Sequence, residues 1–284
     1  MLTTKTKVAL AALAYRSIAL ARRAVGKGNH AIVRRGGSRW ALDLNEGIDF
    51  SIYLLGGFEK STAATLRQLV KPGDIAFDIG ANVGAHTLGL ARSVGPQGQL
   101  FAFEPADFAF AKLNQNLSLN PDLASRTQAF QLLLGEANTS HAQPEIYASW
   151  PLENAHGVHP KHRGRLVSTS GASIDTLDHF VERHHVTQLN LIKLDVDGHE
   201  LPVLRGASAV LANLRPTLVM ELSPYVHAEE HNSFDDLVNL LKSARYRIED
   251  AASRRSLLLD TAALERLVPD GASINVVALP SEKS

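Results

Sequence analysis

The sequence has no cysteine, which excludes disulfides and thiolate zinc sites. Acids are missing from its first 42 positions, where nine Lys and Arg precede the first carboxylate, Asp43. The whole chain nevertheless balances 29 basic against 29 acidic residues. Its main body is therefore acidic and lacks the positive field that grips nucleic acid, so no nucleic-acid partner is expected. Aromatic residues make up only 6%. No apolar run spans a bilayer, since the stretch from Val8 to Ala14 is short and Arg16 follows it. The dinucleotide fingerprint G-x-G-x-x-G and the lysine of a phosphate-binding loop are both absent.

What is present is a chain of 284 residues with 45% apolar content, enough to bury a sizeable core. Residues 1–40 read as a basic, Ala-rich helical arm that either packs on the domain or lies on an anionic membrane surface. Their charge order is that of a signal peptide, but the apolar stretch is minimal and no clear cleavage site follows. Residues 41–284 read as the main domain. A reducing, cytoplasmic setting suits the missing cysteines, with peripheral contact at the inner membrane surface through the arm.

Along the main domain, apolar strands alternate with helices. Residues 40–44 and 48–55 read as short strands or a lead-in, and Ser61 to Val70 as a helix closed by Pro72-Gly73. Strands follow at 75–79, 100–103, 130–134, 189–194 and 217–222, with closing strands at 246–250 and 274–279. Helices are expected at 85–94, from Pro105 to about 119, and at 173–186, 201–214 and 233–244. Residues 135–171 show no clear period and are too long for a plain connection. Strands without polar alternation argue a parallel sheet covered on both faces, an α/β fold whose ligands sit at the strand C-termini.

The stretch DIGANVG, residues 78–84, stands at that edge. Gly80 and Gly84 permit a tight turn, and the helix that follows offers unpaired N–H groups. Glu104 ends the next strand, where a carboxylate can accept both hydrogens of a ribose diol. Asp78 opposes a pyrophosphate and favours a positively charged ligand. Together these residues describe a nucleoside site suited to S-adenosylmethionine.

The segments KPGDIAFDIGANVGAHTLGLA, FAFEP, SIDTLDHF and LIKLDVDGHELPVLRGA resemble, in order, the motifs of the FkbM family of S-adenosylmethionine-dependent methyltransferases. The resemblance covers roughly residues 50–245. It implies the Rossmann-like class I methyltransferase fold, a three-layer sandwich around a mostly parallel seven-stranded sheet whose last strand is antiparallel. It also implies O-methylation of sugars, glycolipids or polyketide-like small molecules. It assigns Asp78, Gly80, Asn82 and Gly84 to the methionine half of the cofactor and Glu104 to the ribose. Where the family often has Glu in DVEG, this chain has Asp197, shorter by one methylene.

Methyl transfer to an alcohol needs an aligned acceptor and a group that takes its proton. Asp195 is the first candidate for that role and His199 the second. Asp197 and Glu200 read either as site residues or as caps of the helix that starts there. Glu221, ending the fifth strand, could join Asp195 in holding Mg2+. His227 and His231 in HAEEH match a zinc-protease spacing, but Pro224 lies just upstream and no third ligand is evident, so a loop over the acceptor is expected. His156, His159 and His162 read as a polar loop or a substrate contact, and His184-His185 as cations at a helix end. Two rival readings remain: a nicotinamide-dependent oxidoreductase on a similar sheet, and a non-catalytic glycan- or membrane-associated protein.

Overall fold

The structure is a computed structural model that describes residues 4–137, 145–153, 156–159, 164–229 and 232–281. Helix α1 (Thr4–Ala24) leads into a hairpin of β1 (His30–Arg35) and β2 (Ser38–Asp43), then α2 (Gly47–Leu55) and α3 (Lys60–Leu69). Alternation begins with β3 (Ile75–Ile79), α4 (Thr87–Val94), β4 (Gln99–Phe103), α5 (Asp107–Ser118), α6 (Pro121–Ala124) and β5 (Thr127–Phe130). Next come β6 (Leu132–Leu134), β7 (Glu145–Ser149), β8 (Arg165–Ser168), β9 (Ser173–Asp175), α7 (Leu177–Arg183), β10 (Leu191–Leu194), α8 (Glu200–Arg205) and a π-helical turn, Val210–Leu214. The chain closes through β11 (Thr217–Leu222), α9 (Pro224–Glu229), α10 (Phe234–Ser243), β12 (Tyr246–Asp250), β13 (Ser256–Leu257), α11 (Thr261–Leu267) and β14 (Ile274–Pro280).

The main sheet has the order β13-β12-β14-β11-β10-β3-β4-β5. Strands β3, β4, β5, β10 and β11 run parallel, and β14 lies antiparallel between β11 and β12. This is the class I methyltransferase order with one addition. The two-residue β13 pairs antiparallel with β12 and makes the sheet eight-stranded rather than seven. The chain winds outward from β3 to β5, then returns to β10 beside β3. The C-terminal ends of β3 and β10 therefore flank the crevice where such sheets hold ligands.

Side chains alternate across the sheet and build a core on each face. Phe77, Phe101, Phe103 and Phe180 pack on one side, with Phe103 edge-on to Phe180 at 4.7 Å between ring centroids. Ala76, Leu100, Ala102, Leu191 and Val219 face the other side, where Leu88, Phe50 and Tyr15 cover them. Tyr15 of α1 is fully buried and meets the Phe50 ring edge-on at 5.7 Å. No helix among the described residues is long and apolar enough to cross a membrane.

Three expectations change, and the open reading of residues 135–171 resolves into small strands. The run from Ile48 to Leu55 is helical, with Asp49, Phe50 and Ile52 buried while Leu54 and Leu55 are exposed. The stretch Phe130–Leu134 breaks at Gln131 into β5 and β6, and β6 leaves the main sheet to pair with β9. Residues 173–175 are that β9 strand, so the expected helix at 173–186 starts later, at Leu177, where the Thr176 hydroxyl accepts the His179 N–H at 3.1 Å. Within 135–171, β7 and β8 form an antiparallel hairpin.

Candidate functional site

Strand β3 ends in Asp78-Ile79 and the chain turns at Gly80, with φ 74°. A Cβ at Gly80 would lie 1.8 Å from the Asp195 carbonyl oxygen. The glycine thus lets the ends of β3 and β10 touch, a strand-to-strand approach that the sequence reading had given to a ligand. Asn82 holds φ 48°, a left-handed conformation that Asn tolerates. Its amide donates to the Ala148 carbonyl at 3.2 Å and so ties the glycine turn to the β7–β8 hairpin.

Glu104, at the end of β4, is 3% exposed. One oxygen accepts the Asn82 N–H at 2.8 Å and the other the Ala106 N–H at 2.9 Å. Burial pushes its pKa up to about 7, against the pull of both donors. Each oxygen keeps a further lone pair for a diol.

A cavity of about 220 Å³ opens between these elements. Gly80, Asn82 and Glu104 line it, together with Asp195, Asp197 and His199. Leu132 and Leu134 of β6, Ile146 of β7 and Val203 of α8 supply apolar wall. The hairpin also contributes Tyr147 and Leu166, so the stretch without a period in the sequence closes the cavity. Asp78 and Gly84 are not on its wall. Asp78 is fully buried behind the turn, where it accepts the Thr87 hydroxyl at 2.7 Å.

Asp78 also faces Lys193, which the sequence reading missed. The two are register partners on β3 and β10. The Lys193 ammonium lies 3.4 Å from Asp78 and 3.7 Å from Asp195, and donates to the Gly80 carbonyl at 2.7 Å. Burial alone would lower its pKa, but Asp78 and Asp195 reverse that and raise it, so the ammonium stays charged. A lysine inside a strand whose other residues are Leu, Ile and Leu was the available signal.

The loop after β10 carries the remaining acids. The Asp195 side chain is 29% exposed, and burial raises its pKa while Lys193 pulls the other way. Asp197 has φ 49°, and burial with its neighbours Asp195 and Glu200 pushes its pKa well up. It lines the cavity rather than capping α8. Glu200 does bond the loop, accepting the Val196 N–H at 3.1 Å, and burial raises its pKa to about 7. Asp195, Asp197 and Glu221 each place one oxygen within 4.8 Å of the others.

The histidines divide differently from the sequence reading. His227 lies on α9, not in a loop, and is fully buried with its Nε2 3.2 Å from Glu200. Burial lowers its pKa to about 4. His159 sits 3.6 Å from Glu229 and packs its ring against Tyr147 at 5.3 Å, joining α9 to the hairpin. His184 stacks on Phe180 at 4.1 Å, and burial lowers its pKa, so contact rather than charge holds it at the end of α7. His162 and His231 lie outside the described residues.

Strand order and acid-lined crevice together define a class I methyltransferase, built to hold a cationic nucleoside cofactor rather than a pyrophosphate. Residues 78–248 match the Methyltransferase FkbM domain, and the chain belongs to that family. It is 28% identical over 196 residues to the Hexuronic acid methyltransferase AglP of Haloferax volcanii, covering 67% of this chain and 71% of that one. It is 30% identical over 159 residues to Methyltransferase 1 of Beauveria bassiana, covering 51% and 63%. Among solved structures it is similar to a SAM-dependent O-methyltransferase from Thermotoga maritima, with TM-score 0.41 and 15% identity over 91% of this chain and 80% of that one. The chain is thus an S-adenosylmethionine-dependent methyltransferase.

Proposed function

We propose that the enzyme methylates a hydroxyl of a sugar, glycolipid or polyketide-like small molecule, with Asp195 as the group that takes the hydroxyl proton. The observation that carries this reading is the position of Asp195: a partly accessible carboxylate on the wall of the cavity that Glu104 also lines. Its raised pKa makes it a stronger base toward an alcohol than an exposed aspartate. His199, on the same wall, is the second candidate. The Haloferax volcanii relative, whose name specifies a hexuronic acid, supports a sugar acceptor.

The residues present fit the cofactor. Glu104 would hold the ribose diol, the turn at Gly80 and Asn82 the methionine half, and Leu132, Leu134, Ile146 and Val203 the faces of the adenine ring. When bound, S-adenosylmethionine supplies an electrophilic methyl group on a sulfonium. Asp195 presents a partly accessible carboxylate toward a cation in that cavity. Asp78 and Gly84 would act from behind the turn, by holding its shape.

Asp195, Asp197 and Glu221 also fit a divalent cation, since hard carboxylate oxygens at that spacing suit Mg2+. Burial and mutual repulsion push the pKa values of Asp197 and Glu221 well up, and a bound cation would offset that repulsion. Contact of the basic arm with a membrane belongs to the same proposal, because a glycolipid acceptor would be met there.

The test is a methyl-transfer assay with labelled S-adenosylmethionine across hydroxyl acceptors: uronic acids, neutral sugars, glycolipids and polyketide alcohols. Product methylated on oxygen supports the reading, and methyl found only on nitrogen or carbon overturns it. Activity that survives EDTA removes the metal reading of the three carboxylates. Activity lost to EDTA and restored by Mg2+ makes them ligands.

A further inference from the structure

We infer that the outer face of α1 docks on an anionic lipid surface. The inference rests on the membrane reading of the arm, not on the identity of the acceptor. Helix α1 is apolar on two opposite faces. Val8, Ala11, Ala12, Tyr15, Ile18 and Ala19 recur at helical spacing and pack on the domain. A folded domain needs no more than that from a covering helix. Yet the other face carries Leu10, Leu13 and Leu20, which are 58%, 67% and 71% exposed. With Ser17 between them they form one stripe along the helix.

Arg16 and Arg23 run along one edge of this stripe, and the helix has no Asp or Glu. Arg23 pairs with Glu153 at 3.9 Å, a half-exposed pair of little strength. The domain holds the stripe in place through Tyr53 of α2. Arg22 lies over its ring at 5.6 Å, and Arg35 at 5.5 Å, with Arg35 donating to the Tyr53 carbonyl at 3.0 Å. Elements joined at that clamp expose further apolar residues: Ile32 at 64%, Leu54 at 47% and Leu55 at 56%.

Leucines bordered by arginines, with no acid among them, match an anionic interface. The apolar stripe enters the acyl boundary while guanidinium groups meet headgroup phosphates. A second copy of the chain fits less well. Stripe against stripe would bring together two helices that carry only positive charge, and like charges placed together oppose association.

The experiment is sedimentation of the full chain with vesicles of phosphatidylcholine alone or mixed with phosphatidylglycerol. Partition onto the anionic vesicles is expected to exceed that onto neutral ones by about tenfold, and to fall with added salt. Leu13→Asp with Leu20→Asp is expected to reduce it by about tenfold or more. Circular dichroism and S-adenosylmethionine affinity should match the parent, because neither leucine is buried. Arg16→Glu with Arg23→Glu should weaken anionic binding selectively. Failure of the parent to sediment with anionic vesicles overturns the inference, as does equal sedimentation of the leucine variant. A dimer that the leucine variant dissolves, with no vesicle binding, assigns the stripe to a second copy and overturns it too. Methyl transfer to a soluble acceptor is untouched by any of these outcomes.

Discussion

Lys193 and Asp78 are register partners on neighbouring central strands, and their charged groups lie 3.4 Å apart in a site with almost no solvent access. The pair sits directly beneath the glycine turn, because the same ammonium donates to the Gly80 carbonyl at 2.7 Å. A charge deep in a sheet survives only when paired. The glycine turn and the loop after β10 thus share one cation, which reaches Asp195 as well.

Replacing that cation with an apolar side chain should expose how much depends on it. Lys193→Met leaves the fully buried Asp78 without its counter-charge, and the expected loss of stability is about 3–5 kcal/mol in urea unfolding. Lys193 also holds the Asp195 pKa down against burial. Variant that still folds should therefore need a higher pH to reach half its maximal turnover. An unchanged pH profile would separate Lys193 from the acceptor side and leave it a purely structural residue.

A second prediction concerns strand approach. Gly80→Ala would drive a Cβ into the Asp195 carbonyl oxygen at 1.8 Å, in addition to the strain of a positive φ. Gly73 shares the strain, at φ 93°, but has open space around it. Gly73→Ala should cost about 1 kcal/mol and Gly80→Ala at least about 2 kcal/mol more, measured by thermal unfolding. Equal costs would mean that β3 and β10 separate easily, and that Gly80 serves only the turn.

The parts of the fold legible in the sequence are those with a local period. Residues 75–79 and 217–222 read as apolar strands and are β3 and β11 with the same bounds. Helix capping is equally local: the Ser233 hydroxyl accepts the Asp236 N–H and starts α10. What failed to show was decided by distant partners. Residues 173–175 carry no strand signal beyond three residues, and they pair only because β6 leaves the main sheet to meet them. The run from Ile48 to Leu55 is too short for periodicity to separate helix from strand. The β7–β8 hairpin lacks clean alternation because consecutive residues of β7, Ile146, Tyr147 and Ala148, all line the cavity. Within the site, Asp195 and Glu104 follow from strand ends, whereas Lys193 matters through a partner 115 residues earlier. Asp197 looks like a helix cap until its left-handed backbone turns it to the cavity.

Asp195→Asn keeps the shape of the side chain and removes its basicity. Turnover is expected to fall by about 10²- to 10⁴-fold while S-adenosylmethionine affinity stays within about threefold. Calorimetry and initial rates on the same preparation separate the two effects. If both fall together, Asp195 belongs to cofactor binding. If rate is retained, His199→Gln becomes the decisive variant, since its side chain shares the wall.

The last prediction follows Glu104 through a titration. Burial sets its pKa at about 7 in the folded chain, above the ordinary glutamate range. The folded protein therefore keeps a proton that the unfolded chain has already released. Its contribution to stability is present below the ordinary value and is lost as pH rises to about 7, on the order of 3 kcal/mol in all. Glu104→Gln removes that slope, and stability between about pH 5 and about pH 7 should then fall less steeply than in the parent. Cofactor binding works in the opposite direction. A ribose diol donates to the ionised carboxylate, so affinity should climb with pH, by up to about tenfold per unit, and level off above about pH 7. The nearby acids Asp195, Asp197 and Glu200 titrate too, which makes the difference between parent and Glu104→Gln the informative quantity. Calorimetry across this range should show weaker, flatter binding in the variant, and fewer protons released at about pH 6. Parallel curves for the two proteins would remove Glu104 from the ribose.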